Sequence, residues 1–470
     1  MRTNGFVGGL AVSFALLLPG AAGAAPDWST YGFAPTRTAI NPAEHALTRS
    51  NAGSLHQRWE ADLGSEGNIT TQPLVASGLH LPGNTIRDVV YAATSRGRIA
   101  AFDADDGKRI WSRTFGWIHD DPCNSDFGIT GTPVLDRNRN SLFFVDGKGQ
   151  AYELSLTTGE TIRHWSITND PHHEQVWSAL NLSRGVVYVA VAGLCDIPPW
   201  RGRIVAIDSG SGKVKAVWYT NGRHGPWGGG IWGWAGISVS EDGDALFAAT
   251  GNSADSSEHS GHSERIVWLS PSLHVRASNY PGLPHGDADF GATPLPIKVQ
   301  GCPGQLVAEG KYGQLFVYDR AHIPAGPTQR IQLGGDGDGR HSLLGSPAFW
   351  RARRLLYLGN PGTRGNFKAG FLAFRVTQGC KLKLAWHANG PAQLGSTPTL
   401  AGGVVYFGEG YKNNIVAFDA LTGKRVWQSG SAVLHYHGVF AAPSVVGGRL
   451  YTGGWNGTLH AFEPGGGSGY

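Results

Sequence analysis

Residues 404–427 read VVYFGEGYKNNIVAFDALTGKRVW. An apolar strand ends in a glycine turn, and a second apolar strand follows and ends in Asp419. A Thr-Gly-Lys turn comes next, and a third strand ends in Trp427. Along IVAFDA, residues 415–420, alternate side chains point to opposite faces, so both faces are mainly apolar. A sheet that is apolar on both faces has to be sandwiched between others. The aspartate before the turn can accept bonds from backbone N–H groups two residues on, and the glycine supplies the positive φ that the turn needs.

The unit recurs. Residues 89–111, VVYAATSRGRIAAFDADDGKRIW, and 142–165, LFFVDGKGQAYELSLTTGETIRHW, repeat it directly. Residues 186–218 match with LCDIPPW inserted in the first turn, and residues 355–386 match with NPGTRGNFKA inserted. Weaker copies begin near Leu246, Leu306 and Leu450. Eight copies spaced by roughly fifty residues fall in the range of propeller blades, so the expected fold is an all-β, eight-bladed β-propeller. Each blade covers the apolar faces of its neighbours, and the tryptophan ending the third strand is expected to pack between them. The last copy, LYTGGWNGTLHAFEP, stops after two strands, while the N-terminal SLHQRWEADL carries an orphan strand with Trp59. This strand is expected to complete the last blade and close the ring, removing its free edges.

The composition suits that fold. Of 470 residues, 70 are Gly, and Trp, Tyr and Phe number 16, 14 and 19, as many short strands joined by tight turns and separated by aromatic layers require. A helical bundle would want more Leu, Glu, Lys and Ala. The net charge of +4 is spread through turns rather than gathered into a stripe, so no nucleic-acid partner is expected. Arg2, the apolar run Phe6 to Leu18 and the small-residue stretch Ala22-Gly23-Ala24-Ala25 predict a secretory leader over residues 1–24. The run is shorter than the ~20 residues that span a bilayer, and no membrane span is expected elsewhere. One propeller domain over residues 25–463 follows, then a disordered Gly-rich tail over 464–470. The expected compartment is periplasmic or secreted. Cys123, Cys195, Cys302 and Cys380 then suggest two disulfides, with three possible connectivities. None has the C-x-x-C spacing of a zinc site or a covalent haem.

These repeats resemble the pyrroloquinoline-quinone (PQQ) type of β-propeller repeat over almost the whole mature chain. Four local motifs extend the resemblance toward the quinoprotein alcohol dehydrogenases. WGGGIWGWAGIS, residues 227–238, resembles the segment that carries a tryptophan stacked under the quinone. The matching residue is Trp234, with Trp232 the alternative, since a flat cofactor needs a flat aromatic floor, and the preceding glycines suggest close approach of a ligand. ATGN, residues 249–252, resembles the turn whose asparagine helps bind Ca²⁺, which implies Asn252 as an oxygen ligand. HGDADFGATP, residues 285–294, resembles the context of the catalytic aspartate. Asp289 is the better match and Asp287 the runner-up; Asp289 would also face the metal. Alcohol oxidation needs a group to accept the hydroxyl proton, and partial desolvation raises a carboxyl's pKa. EGKYGQLFVYDR, residues 309–320, resembles the strand pair whose cation contacts the quinone oxygens, implying Lys311.

Two features of that family are absent. Its adjacent cysteine pair has only Cys123 at the corresponding place, with Cys195 in the next blade's insertion on the same face. Against the family's pair this suggests Cys123–Cys195, leaving Cys302–Cys380. The family's calcium-ligating Glu has no clear counterpart, and Asp196 is the nearest carboxylate. The motifs lie closer to the polyvinyl-alcohol dehydrogenase branch. His119, His172, His173, His285, His435 and His437 read as surface or packing residues. The resemblance thus implies a PQQ-dependent dehydrogenase, with Ca²⁺, that oxidises an alcohol or polyol and passes electrons to a soluble cytochrome or quinone acceptor. The contrasting reading is a non-catalytic propeller that binds protein or carbohydrate. A glycosidase would need a channel carboxylate pair, for which Asp287 with Glu309 is the candidate.

Overall fold

The computed structural model describes Met1 and residues 25–64, 67–193, 195–254, 260–284, 287–335, 344–390, 397–409, 414–430 and 441–465. The leader segment, His285, His435 and His437 lie outside them. Eight blades of four antiparallel strands make up most of the described fold, one of them extended by a fifth, parallel strand, and two two-stranded sheets lie outside the blades. In chain order blades 1–7 span residues 74–114, 134–166, 181–219, 238–279, 295–332, 348–388 and 398–428. Blade 8 combines Ser444–Val446, Arg449–Gly453 and Thr458–Pro464 with the N-terminal strand Leu55–Asp62. Trp59 pairs with Ala461 and Leu55 with Pro464, so the two ends of the chain lock the ring. The tail beyond residue 465 lies outside the described residues.

The core is a ring of apolar layers between blades, as strands apolar on both faces require. Phe143, Val145, Val187 and Val205 fill the layer between blades 2 and 3, and Phe371, Phe407 and Phe418 the layer between blades 6 and 7. The outer-strand tryptophans clamp the ring. Trp111 Nε1 donates to Leu156 O at 2.9 Å and Trp386 Nε1 to Ala420 O at 3.0 Å, each reaching the turn of the next blade. The turn glycines Gly159 and Gly423, at φ +67° and +72°, lie under those rings, and a Cβ there would come within 2.6 and 2.7 Å of the indoles. The Thr-Gly turn is therefore a docking surface as well as a reversal. Trp427 reaches Leu55 O at 2.8 Å, in the N-terminal segment. Disulfides join Cys123 to Cys195 and Cys302 to Cys380.

Residues 28–41 form a strap across the inner ends of the blades. Val75, Leu135, Val239, Phe349 and Leu400 donate N–H groups to the carbonyls of Trp28, Ser29, Pro35, Thr38 and Ala39, at 2.8–3.0 Å. Ile40–Asn41 adds a parallel strand to Pro398–Ala401, and Asn41 Nδ2 donates to Val445 O. Arg37, fully buried, holds the strap to blades 3 and 4: its Nη2 donates to Leu180 O at 2.8 Å and its Nε to Ile237 O at 3.2 Å. No helix among the described residues is long and apolar enough to cross a membrane.

Candidate active site

Four loops on one face of the ring carry the chemistry-bearing residues, and strand geometry explains why they meet. The segment between blades 3 and 4 bears Trp232 and Trp234, the turn after strand Leu246–Ala249 bears Asn252, and the segment between blades 4 and 5 bears Asp289. Lys311 sits in the turn between Gln305–Glu309 and Gln314–Asp319. Strand-end turns and blade-to-blade connections of this kind share one face, opposite the turns at the other strand ends.

Asp289 is at the centre. Its Oδ2 accepts from Trp232 Nε1 at 2.7 Å, and its main-chain carbonyl accepts from Lys311 N at 2.9 Å. Its Oδ1 is buried and makes no hydrogen bond, with Lys311 Nζ 4.0 Å away. Burial pushes the carboxyl up to about 7; Lys311 opposes this, Asp287 adds to it, the Trp232 bond opposes and Asp196 adds. Lys311 Nζ pairs with the exposed Asp287 and lies 5.5 Å from the centre of the Trp232 ring. Burial pulls the Lys311 ammonium down, but the carboxylates of Asp289, Asp287 and Asp196 more than offset it, so the lysine is firmly charged.

Trp232, Asp289 and Lys311 are therefore in direct contact, and Asp287, the alternative base, is the lysine's counter-ion. The ATGN turn abuts this group: a Cβ on Gly251 would stand 3.0 Å from Asp289 Oδ2 and 3.3 Å from Trp232 Cδ1. Asn252 Nδ2 donates to Asp196 Oδ2 at 2.9 Å. The half-buried Trp234 packs on Tyr31 of the strap and on Ala179, Ala235 and Ala442 from three different inter-blade segments. Residues that far apart in the ring meet only at its axis, so Trp234 is a central platform resting on the strap.

The glycine run ahead of Trp232 does a different job from the one its sequence suggests. Cβ atoms on Gly228, Gly229 and Gly230 would strike Ser253, Thr220 and Ala192. These glycines let neighbouring loops pack; it is Gly251 that borders Asp289. Sequence reasoning gave Asp196 no settled place, and its bond to Asn252 has no local signal because 56 residues separate them. The Asp287–Lys311 pair was equally hidden.

Asp287 is exposed and salt-bridged, whereas Glu309 is buried with Oε1 unpaired and pushed by burial up to about 8. The two do not share a solvent-reachable setting. His119 is exposed and bonded to Asp126, and His173 bonds Asp170. Among the described residues no group of three or more His, Cys, Asp or Glu is arranged to hold a metal ion. Asp289 Oδ1, an orphaned buried acceptor, nonetheless suits a proton or a cation, and Trp234, Trp232 and Lys311 offer the aromatic surfaces and positive charge that a planar anionic cofactor needs.

Comparison with known proteins agrees with this architecture. Residues 33–220 and 381–469 match the PQQ_2 family model, described as outer membrane protein assembly factor BamB. The dehydrogenase subunit of a quinone alcohol dehydrogenase from Komagataeibacter europaeus is 27% identical over 205 residues, which is 41% of this chain. The chain spans only 25% of that relative's length. A polyvinylalcohol dehydrogenase from Pseudomonas sp is 22% identical over 493 residues, covering 91% of this chain and 73% of the relative. The solved quinohemoprotein alcohol dehydrogenase from Comamonas testosteroni superimposes with a TM-score of 0.69 at 18% identity, covering 94% of this chain and 82% of that one. With its eight repeats, its blade-clamping tryptophans and its matched segments, the chain belongs to the PQQ-type β-propeller family.

Proposed function

We propose that this chain is a PQQ-dependent dehydrogenase that oxidises an alcohol or polyol. The observation that carries the reading is the buried Asp289 carboxyl. One oxygen is fixed by Trp232, the other is unbonded, and Lys311 stands 4.0 Å from it. A base must be within reach of the hydroxyl proton and have a pKa near the working pH, and burial brings Asp289 to about 7.

Bound PQQ would supply the two-electron acceptor. The protein's own part is positional and electrostatic. The Trp232 bond locks Oδ2, so Oδ1 is the oxygen that takes the proton from the substrate's hydroxyl. Lys311 would supply positive charge to favour electron gain by the bound acceptor, and Trp234 would offer a flat support backed by the strap. Asn252 and Asp289 are the proposed oxygen ligands for Ca²⁺. Since calcium takes six to eight oxygens, cofactor oxygens and water would complete the shell.

The export reading belongs to the same proposal, with residues 1–24 as the leader, a propeller over 25–463 and a periplasmic or secreted location. Electrons would pass to a soluble cytochrome or quinone. A scaffold that binds protein or carbohydrate is the second reading, favoured by the lack of a metal-holding cluster among the described residues and by the description of the matching family model. Titration of the apo chain with PQQ and Ca²⁺, followed by tryptophan fluorescence and dye-linked alcohol oxidation, separates the two. Saturable quinone binding with turnover is expected. Asp289→Ala should keep the quinone and lose turnover. No binding at micromolar PQQ would leave the scaffold reading alone, and turnover by the Ala variant would mean that the base is another group.

A further inference from the structure

The innermost strands of the blades share a short motif in which a proline stands two residues before an apolar one: Pro73-Leu74-Val75, Pro133-Val134-Leu135, Pro347-Ala348-Phe349 and Pro398-Thr399-Leu400. The third residue of each donates its N–H to the strap. Blade 5 reads Pro294-Leu295-Pro296. Pro296 pairs with Leu306 in the same register as Leu135 with Leu142 and Phe349 with Leu356. It occupies the donor position and has no N–H to give. Among the described residues the inner strands of blades 1, 2, 4, 6 and 7 give main-chain N–H groups to the strap, blades 3 and 8 bond it only through side chains, Asn181 Nδ2 to Pro35 O and Asn41 Nδ2 to Val445 O, and blade 5 makes neither kind of bond.

A cavity of about 980 Å³ opens there, between the strap and blades 5 and 6, within the size range of small-molecule sites. Its walls are Ile40 of the strap, Pro296, Ile297 and Val299 of blade 5, and Phe349 and the half-buried Trp350 of blade 6. Its polar lining is unbalanced in charge. Lys298 and Arg351 are exposed at the mouth, and Arg354 lies deeper, with its guanidinium tied to Val376 O and Thr377 O. The one lining carboxylate, Glu241, is already engaged by Arg320 at 2.9 Å. The cavity lies at the opposite end of strand Gln305–Glu309 from Lys311, roughly 15 Å along the blade at ~3.4 Å per residue.

We infer that this proline-opened cavity is a second ligand site, taking an organic anion with an apolar or aromatic body and a carboxylate or sulfonate head. The apolar walls bury the body, and Trp350 offers a ring face. Lys298 and Arg351 meet the head at the mouth, where solvent completes its hydration. A neutral amphiphile would find the same walls but no charge partner, and a small inorganic anion would find charge but leave the apolar walls wet.

The inference is independent of the redox reading. Its test is a fluorescence titration of the full chain with 8-anilino-1-naphthalenesulfonate, with decanoate and decanol as competitors. One saturable site is expected, displaced by decanoate at concentrations at least tenfold lower than by decanol. The double substitution Lys298→Glu with Arg351→Glu changes only exposed side chains and should weaken the dye at least tenfold while leaving the circular dichroism and the melting midpoint in place. Ile40→Trp, which narrows the cavity from the strap, should also weaken it. Lys311→Ala should leave it unchanged. Non-saturable binding, equal displacement by decanol, or indifference to the charge reversal would each overturn the site. Loss of the dye in Lys311→Ala would do so too, because the dye would then sit on the other face.

Discussion

Replacing Asp289 by Asn should make the apo protein more stable at alkaline pH and nearly unchanged at acid pH. The folded chain holds this carboxyl at about 7 against an ordinary value of 3.8, chiefly by burial. The folded state therefore binds the proton more tightly than the unfolded state does. The stabilisation that protonation brings is whole below the unfolded value and is lost as pH rises toward and through 7. A gap of about three pH units at ~1.36 kcal/mol each amounts to ~4 kcal/mol in full. Between pH 4.5 and 8 about 3 kcal/mol of it is expressed, because the unfolded carboxyl is already largely ionised at pH 4.5. Asn keeps an acceptor for Trp232 Nε1 and carries no charge, so it mimics the protonated acid at every pH. Urea unfolding of both proteins at pH 4.5, 6, 7 and 8 should show the Asn variant gaining steadily, to an advantage of order 3 kcal/mol at pH 8. Glu309, also raised by burial, titrates in both proteins and cancels in the difference. Lys311 keeps Asp287 as a partner. A stability difference flat across pH, or a variant least stable at pH 8, would refute the claim that Asp289 is held ionisable against its surroundings.

Under the proposed chemistry, the same residue requires turnover to rise with pH through about 7 as Asp289 loses its proton. Lys311→Met, by removing the cation that lowers Asp289, should move that limb to higher pH as well as weaken quinone binding; a limb that stays in place argues for a different base. Trp386→Ala should cost ~3–5 kcal/mol, as other large core truncations do, and Gly423→Ala ~2–3 kcal/mol through crowding and the positive φ; because the Ala Cβ strikes that indole, the double variant should fall short of the sum by at least ~1 kcal/mol in urea unfolding. Arg37→Met should cost ~3–5 kcal/mol, since it strips donors from the buried carbonyls of Tyr31, Leu180 and Ile237, and Arg37→Lys should rescue only part of it in the same assay. Replacing Cys302 and Cys380 together by Ser, which opens a loop of sequence separation 78, should lower stability by ~2–4 kcal/mol in urea unfolding while leaving the far-ultraviolet circular dichroism of the folded state unchanged.

The repeat made the fold legible because each blade is a local pattern: an apolar strand, an Asp-anchored turn, a glycine and a tryptophan. Closure was also readable, since the last copy of the repeat stopped short at one end and one strand stood alone at the other, and Leu55–Asp62 pairs with Thr458–Pro464. The strap left no such trace. Residues 28–41 have neither alternation nor a turn signature, and their order comes from bonds to strands up to 404 residues away. The candidate site was legible as residue types in order but not as contacts. Trp232 and Trp234 are two residues apart and serve different purposes, one bonded to Asp289 and one seated on the axis. Nothing in WGW distinguishes them, because the distinction lies in what other blades bring. The open oxygen of Asp289 is invisible for the same reason: it is a property of Gly251, Trp232 and Lys311 together.

The strap also explains how the axis of an eight-bladed ring is filled behind Trp234. A ring this wide leaves the inner edges of its innermost strands facing an open axis, and their N–H and C=O groups have to find partners. The strap carbonyls take five of those N–H groups. Arg37 has five donors and no acceptor, which suits a place surrounded by carbonyls at Tyr31, Leu180 and Ile237 with Thr30 beside them. Burial lowers the guanidinium to about 9, so it remains charged at neutral pH even there. A buried charge with no carboxylate partner among the described residues is costly and persists because removing it would take a donor from three buried carbonyls at once, Leu180 and Ile237 keeping only Thr30 and Asn181. With the axis filled from that side, Trp234 gains a firm backing in Tyr31 and Ala442. Blade 5, where proline withholds the bond, is the place where this filling stops. One blade therefore carries Lys311 at one end of its second strand and the cavity at the other.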